Sequence, residues 1–290
     1  MTGTESIEIV EVGPRDGLQN EPGWVDIDTK VGLVEVLADC GFRRIEVGSF
    51  VNPTRVPQMA GTAEVFKRIT RRTDTAYSAL VPNLRGLEGA LAAQVDEIAV
   101  FASATEGFSG ANLGVSIARS LEVLSEVTRE ASDTDLPVRG YVSCVLECPY
   151  DGPTQPDAVV NVTKQLLGFG CREISLGDTI GRGHPDDVRR LFDRLLKDVD
   201  PRRLAGHFHD TGGRALRNIG AALEYGVAVF DSSIGGLGGC PFAPGSAGNV
   251  ATEDVCDMFQ RRGCSTGLDR DAIVRAARYV KDLRAAAGGG

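Results

Sequence analysis

Leu204-Ala205-Gly206-His207-Phe208-His209-Asp210 opens apolar and ends by presenting two of the protein's three histidines one residue apart. Side chains at i and i+2 of a strand share a face, so an extended run aims both imidazoles at one point, a geometry that suits a divalent metal. Alone, the pattern is as readily a locally hydrogen-bonded strand end as a ligand pair. The segment that follows, 213–225, has helical period, so the stretch reads as a strand leading into a helix.

The same alternation runs outward in both directions. Short β-branched or apolar runs at Ile7–Val12, Arg44–Val47, Ala76–Val81, Glu97–Phe101, Val138–Val142, Glu173–Leu176, Leu204–His209 and Val227–Ser232 predict eight strands. Between them, Asp28–Cys40, Pro57–Arg71, Leu84–Ala93, Ser116–Ala131, Pro156–Phe169, Pro185–Val199 and Gly213–Tyr225 read as helices. Several open on Asp, Asn, Ser or Pro, and some close on Gly41, Gly170 or Gly226, as helix capping favours. Eight βα units with near-continuous apolar strands predict an α/β fold, a parallel (β/α)8 TIM barrel, rather than an open doubly wound sheet. Neither G-x-G-x-x-G nor a P-loop occurs, which weighs against the nucleotide-binding open sheet. Residues 1–290 are expected to form a single catalytic domain, with a helical C-terminal extension over about 249–285 and a frayed Ala/Gly-rich end at 286–290.

With 290 residues, 42% of them hydrophobic and 24% charged, the chain can bury a large core, and disorder is not indicated. A formal net charge of −9 without a Lys/Arg-rich run argues against a nucleic-acid or anionic-membrane partner. Residues 1–12 lack a basic segment followed by an apolar core, and no stretch is long and apolar enough to span a bilayer. A cytoplasmic protein is expected, and its seven unpatterned cysteines are expected to be reduced thiols.

In such a barrel, catalytic groups collect at the carboxyl ends of strands. There the sequence places Glu11, Arg15 and Asp16, then Glu46 and Ser49, Asp178 with Thr179, His207 with His209, and a glycine-dense loop leading to Cys240. A chain rich in glycine moves freely, so the Cys240 thiol can reach over the mouth.

These segments carry a resemblance. Glu11-Val-Gly-Pro-Arg-Asp-Gly-Leu-Gln-Asn-Glu21, Ile45-Glu-Val-Gly-Ser-Phe50, Arg139-Gly-Tyr-Val-Ser-Cys144, Ile174-Ser-Leu-Gly-Asp-Thr-Ile-Gly181, His207-Phe-His-Asp210 and Gly235-Gly-Leu-Gly-Gly-Cys-Pro241 span nearly the whole chain. Together they resemble the 3-hydroxy-3-methylglutaryl-CoA lyases, within the metal-dependent TIM-barrel lyase and synthase superfamily. The resemblance implies Asp16, His207, His209 and Asn249 as ligands of a divalent metal, Mg²⁺ or Mn²⁺, a mixed N/O donor set that leaves positions for substrate. It implies Arg15, Asp16, Glu46, His207 and Cys240 as catalytic residues, with Glu46 paired to the Arg-Asp dipeptide and Cys240 protonating an acetyl-CoA enolate. Arg15, Gln19 and Ser49 are the candidates for substrate contact, and Asp178 for a hydrogen bond behind a ligand histidine. Asp16, His207 and a metal-bound hydroxide all stay open as the general base.

The implied reaction is cleavage of an acyl-CoA, 3-hydroxy-3-methylglutaryl-CoA, to acetyl-CoA and acetoacetate, the chemistry of leucine breakdown and ketone-body metabolism, in a homodimer or higher homo-oligomer. Three alternatives accompany it: a lyase for a longer-chain analogue, an aldolase or Claisen condensing enzyme of the same superfamily, and a non-enzymatic metal-binding scaffold. The longer chain is suggested by Gly212-Gly213 and by the glycines of 105–110, where smaller residues are expected to widen the mouth.

Overall fold

The structure is a computed structural model that describes residues 6–21, 23–240 and 243–287, with main chain alone at 239–240, 243–247 and 287. Eight parallel strands close into a barrel: β1 (Glu8–Glu11), β2 (Arg44–Ser49), β3 (Ala76–Leu80), β4 (Glu97–Ser103), β5 (Val138–Ser143), β6 (Glu173–Asp178), β7 (Leu204–Phe208) and β8 (Val229–Ser232). Each pairs with its sequence neighbours, and β8 closes on β1 with Glu8 opposite Val229. All eight predicted strands are present, within a residue or two at their ends.

The outer layer is α1 (Ile27–Ala38), α2 (Thr62–Arg68), α3 (Leu84–Ala92), α4 (Glu106–Leu113), α5 (Ile117–Ser132), α6 (Pro156–Gly168), α7 (Pro185–Leu195) and α8 (Ala215–Leu223), followed by α9 (Thr252–Arg261) and α10 (Arg270–Ala287). Local chemistry sets the boundaries. Asp26, Asn83 and Ser116 each accept the N–H three residues on, at the starts of α1, α3 and α5. Gly41, Gly170 and Gly226 take positive φ just after α1, α6 and α8, where a side chain would be strained.

Three expectations are corrected. Helix α4 occupies the glycine-rich segment expected only to widen the mouth and is not among the predicted helices. Gly107 donates its N–H to Asp151, and a Cβ there would lie 2.4 Å from that carboxylate, so a tertiary contact overrides the weak propensity of two glycines. The segment 57–71 divides into a 3₁₀ turn at Pro57–Met59 and the short α2, and α10 runs to Ala287, so 286 and 287 are helical while 288–290 lie outside the described residues.

Leu, Ile, Val and Phe side chains from strands and helices fill the annular layer between them. Inside the barrel the filling is ionic. Arg139 donates to Asp231 at 2.7 Å and Glu173 at 2.8 Å, and Arg44 to Glu173 at 2.9 Å and Glu8 at 2.6 Å. Charges so enclosed are tolerated because each has partners of opposite sign within hydrogen-bond reach. Among the described residues, no helix is long and apolar enough to cross a membrane, and Cys40, Cys144, Cys148 and Cys171 are free and buried.

Glu11, fully buried at the end of β1, ties the barrel to the loop after β8. It accepts N–H groups from Gly13 and Ile234 and the Thr252 hydroxyl. Desolvation pushes its carboxyl up to about 8, despite hydrogen bonds from Thr252, Ile234 and Gly13 that lower it. An acid whose pKa is raised on folding binds more protons folded than unfolded between the two values. Its stabilisation is therefore complete below the unfolded value of about 4.5 and lost as pH rises through about 8. Thermal melts should show wild type losing Tm relative to Glu11→Gln as pH rises from about 5 to about 8; parallel curves would refute the assignment.

Candidate active site

The chain from Val12 to Gly17 closes a single π-helical turn at the end of β1. The Val12 carbonyl accepts N–H groups from Arg15, Asp16 and Gly17, at 3.2, 2.8 and 3.2 Å. Turns of this kind recur at functional sites, where the extra residue redirects side chains. Glycine is required at both ends: a Cβ on Gly13 would lie 2.6 Å from Glu11 Oε1, and one on Gly17 2.7 Å from Leu237 Cβ. The turn brings Arg15 and Asp16 over the strand ends.

Two residues of the β7 segment meet them there. The expected strand Leu204–His209 ends at Phe208, and His209 instead bridges antiparallel to Asn249. The i, i+2 spacing holds: the two imidazole centroids are 5.2 Å apart, and Nε2 of each lies 3.7 Å from Asp16 Oδ2. Asn249 Nδ2 is 2.8 Å from the same oxygen. One ligand atom from each of Asp16, His207 and His209 fits within 4.8 Å, so the three offer one oxygen and two nitrogens to a common point, a donor set suited to a divalent cation.

His207 is oriented from behind. His207 Nδ1 meets Asp231 Oδ2 at 3.1 Å, which leaves Nε2 facing Asp16. Asp231 also accepts Ser175 Oγ at 2.7 Å. Burial would raise this carboxyl, but Arg139 and the His207 hydrogen bond hold it well below the usual range. Asp16 behaves likewise: burial works upward, and the Arg15 guanidinium, a hydrogen bond from His209 and the charges of both histidines hold it ionised. Asp178 lies buried at the end of β6, accepting Gly183 N–H at 3.1 Å; desolvation lifts it to about 6 against that bond and the charge of His209.

Arg15 forks between two carboxylates, with Nη1 2.5 Å from Asp16 Oδ1 and Nε 2.7 Å from Glu46 Oε2. Glu46 is buried, which raises its pKa against the pull of Arg15. Its second oxygen, Oε1, is buried without a hydrogen-bond partner among the described residues, and Glu46 is not among the residues lining the cavity over this site, so it stands behind Arg15. The Tyr141 ring lies between two guanidiniums, 5.4 Å from Arg15 and 5.0 Å from Arg139.

The cavity over these groups, about 180 Å³, is lined by Arg15, Asp16, His207 and His209 and flanked by Gln19, Phe108 and Tyr141. Gln19 is thus at the cavity, whereas Ser49 is not among its lining residues. Ser49 is buried with its hydroxyl on the Leu80 carbonyl, behind an irregularity in the β2–β3 register between Glu46 and Gly48. The glycines expected to widen the mouth do not line it: Gly110 faces open space and Gly212 packs on Arg214. The Cys240 side chain lies outside the described residues. Sequence reading missed Tyr141, Arg139 and Asp231. Arg139 and Tyr141 stand two apart on one face of β5, and a charge within the apolar β8 was the signal available for Asp231.

A parallel barrel presenting a carboxylate and two imidazoles to a common point at its C-terminal face defines a TIM-barrel protein with a candidate divalent-metal site. The chain belongs to the HMGL-like family, whose model matches residues 6–280. It is 49% identical over 271 residues to the hydroxymethylglutaryl-CoA lyase of Pseudomonas mevalonii, covering 93% of this chain and 90% of that protein. A 3-hydroxy-3-isohexenylglutaryl-CoA/hydroxy-methylglutaryl-CoA lyase of Pseudomonas aeruginosa is 51% identical over 276 residues, covering 95% and 92%. The crystal structure of the HMG-CoA lyase from Brucella melitensis superposes with a TM-score of 0.96 at 54% identity, covering 97% of this chain and 99% of that one.

The Asp231 carboxylate is the sole acidic contact on His207 Nδ1 among the described residues and a charge partner of Arg139. Asp231→Asn should therefore cost about 3–5 kcal/mol of stability, the range for breaking a buried pair. Urea unfolding measures it, and a loss below about 1 kcal/mol would show that the interior charges are not mutually dependent.

Proposed function

We propose that this protein is a divalent-metal-dependent carbon–carbon lyase that cleaves 3-hydroxy-3-methylglutaryl-CoA to acetyl-CoA and acetoacetate. The observation that carries the reading is the convergence of Asp16, His207 and His209 at one point, with the Arg15 guanidinium beside it over a cavity. Asp16, His207, His209 and Asn249 would hold the metal, Mg²⁺ or Mn²⁺. Bound there, such an ion supplies Lewis acidity that makes a neighbouring hydroxyl easier to ionise.

The chain's own groups account for the rest. Transfer of the substrate's hydroxyl proton to a base, for which Asp16 and His207 are this chain's candidates, lets its oxygen form a ketone as the adjacent carbon–carbon bond breaks, and the bonding pair passes to the departing thioester as an enolate. Arg15, locked by Asp16 and Glu46, is the fixed cation for that charge, in a site where such a contact is worth several kcal/mol. Glu46 positions Arg15 from behind. Cys240 returns a proton to the enolate carbon, giving acetyl-CoA. Gln19 contacts substrate from the cavity wall.

A second cavity of about 640 Å³ shares Gln19, Leu80, Phe101 and Asn112 with the first and continues past the exposed Val115. The long coenzyme arm is assigned to it. The whole chain is proposed to act as one catalytic domain, in a homo-oligomer in the cytoplasm.

Purified protein given 3-hydroxy-3-methylglutaryl-CoA with Mg²⁺ or Mn²⁺ should release acetoacetate and acetyl-CoA, and chelator should stop it. Arg15→Met should lower kcat by about 10²–10³-fold, the usual effect of removing a transition-state charge partner. Absence of product with every divalent metal, or full turnover by Arg15→Met, would defeat the reading.

A further inference from the structure

The loop after β8 takes left-handed backbone at Gly235, Gly236 and Gly238, with φ of +60°, +57° and +112°. Three glycines in four residues make a segment with little conformational preference of its own, so its shape must come from outside. Side chains from distant elements supply it. Arg284, in the last turn of α10, donates Nη1 to the Gly235 carbonyl at 3.0 Å and Nη2 to the Gly236 carbonyl at 2.9 Å. The same guanidinium grips Glu21 through Nε at 3.1 Å and Nη2 at 2.6 Å, and Glu21 Oε1 accepts the Gly238 N–H at 2.8 Å. Glu253 on α9 holds the Gly235 N–H at 3.0 Å.

On its other side this segment touches the candidate metal ligands. The Leu237 carbonyl is 3.4 Å from Asn249 Nδ2, and Leu237 packs so closely on the turn bearing Asp16 that Gly17 has no room for a Cβ. Cys240 follows Gly238 by two residues.

We propose that Glu21 and Arg284 are a positioning pair for the cleavage reaction: together they fix the backbone of 235–238, and through it the setting of Asn249, Asp16 and the main chain leading to Cys240. The inference rests on the lyase reading above. The two carboxylates and one guanidinium account for four of the backbone groups of Gly235, Gly236 and Gly238, and among the described residues only Arg284 donates to the two carbonyls, so its fork is not replaceable by an ammonium. A pair that merely docked α10 would contribute to melting temperature and leave turnover alone.

The test compares wild type with Arg284→Met, Arg284→Lys and Glu21→Gln in the full chain. It measures kcat and KM for 3-hydroxy-3-methylglutaryl-CoA, Mn²⁺ affinity of the metal-stripped protein by electron paramagnetic resonance, and amide exchange of 235–238. Arg284→Met is expected to lower kcat about tenfold, as loss of several charge-assisted hydrogen bonds allows, with KM within about twofold. Mn²⁺ binding should weaken several-fold and Gly238 exchange should quicken. Arg284→Lys should restore little, and Glu21→Gln, which keeps its shape and an acceptor, should fall between and fold normally. Faster exchange with unchanged kcat and Mn²⁺ affinity overturns the proposal, as does unchanged exchange, or a kcat loss in Arg284→Met that only tracks its unfolded fraction while Glu21→Gln is fully active. If wild type itself fails to cleave, the lyase reading is what falls, and the pair is then judged on Mn²⁺ affinity and exchange alone.

Discussion

Everything at the mouth of this barrel depends on a carboxylate in its interior. Asp231 is shared by Arg139, Ser175 and His207, and the ionised form survives enclosure because a guanidinium faces it. From there the charges connect downward through Glu173 and Arg44 to Glu8 at the start of β1, and upward through Tyr141 to Glu46 and Arg15. Enclosed ions bind one another strongly only when geometry is right, so each sets the rotamers of the next. The strands supply that geometry, since rigid parallel neighbours place the side chains of one face in fixed layers.

The consequence is a site preorganised from two directions. Behind it, the ion network fixes which nitrogen of His207 points outward and where the Arg15 fork lies. Around it, backbone carries the load: a π turn presents Arg15 and Asp16, and the antiparallel bridge between His209 and Asn249 ties the end of β7 to the chain that follows β8. Reactive groups are thus held by strands and short constrained turns, while the glycine-dense stretch beside them takes its shape from Glu21, Glu253 and Arg284.

Much of this was legible in the sequence, for stated physical reasons. The eight strands announce themselves because the face of each strand that packs on the helices is apolar, so short β-branched or apolar runs recur between the helical segments. The paired histidines announce themselves because a period of two needs only three residues to express. What stayed hidden depends on partners far away in the chain. Helix α4 carries Gly107 and Gly110 and is stabilised through Asp151, which no local pattern reveals. Ser49 was placed at the mouth by simple counting along β2, which an irregular register beside Gly48 defeats. Tyr141 and Asp231 sit inside short strands, where one polar residue says nothing of its partner until the barrel closes. The ties from Glu21 and Arg284 join residues 263 apart in the chain, beyond the reach of any short motif.

The turn from Val12 to Gly17 sets a rule for descent with modification. Because one carbonyl gathers three successive N–H groups, the number of residues between the first strand and Gly17 is not free to drift. Gain or loss of a single residue would rotate Arg15 and Asp16 around the axis of the turn, away from the imidazoles. Length variation among descendants should therefore collect elsewhere on the periphery, leaving this short span as the least tolerant of indels in the chain.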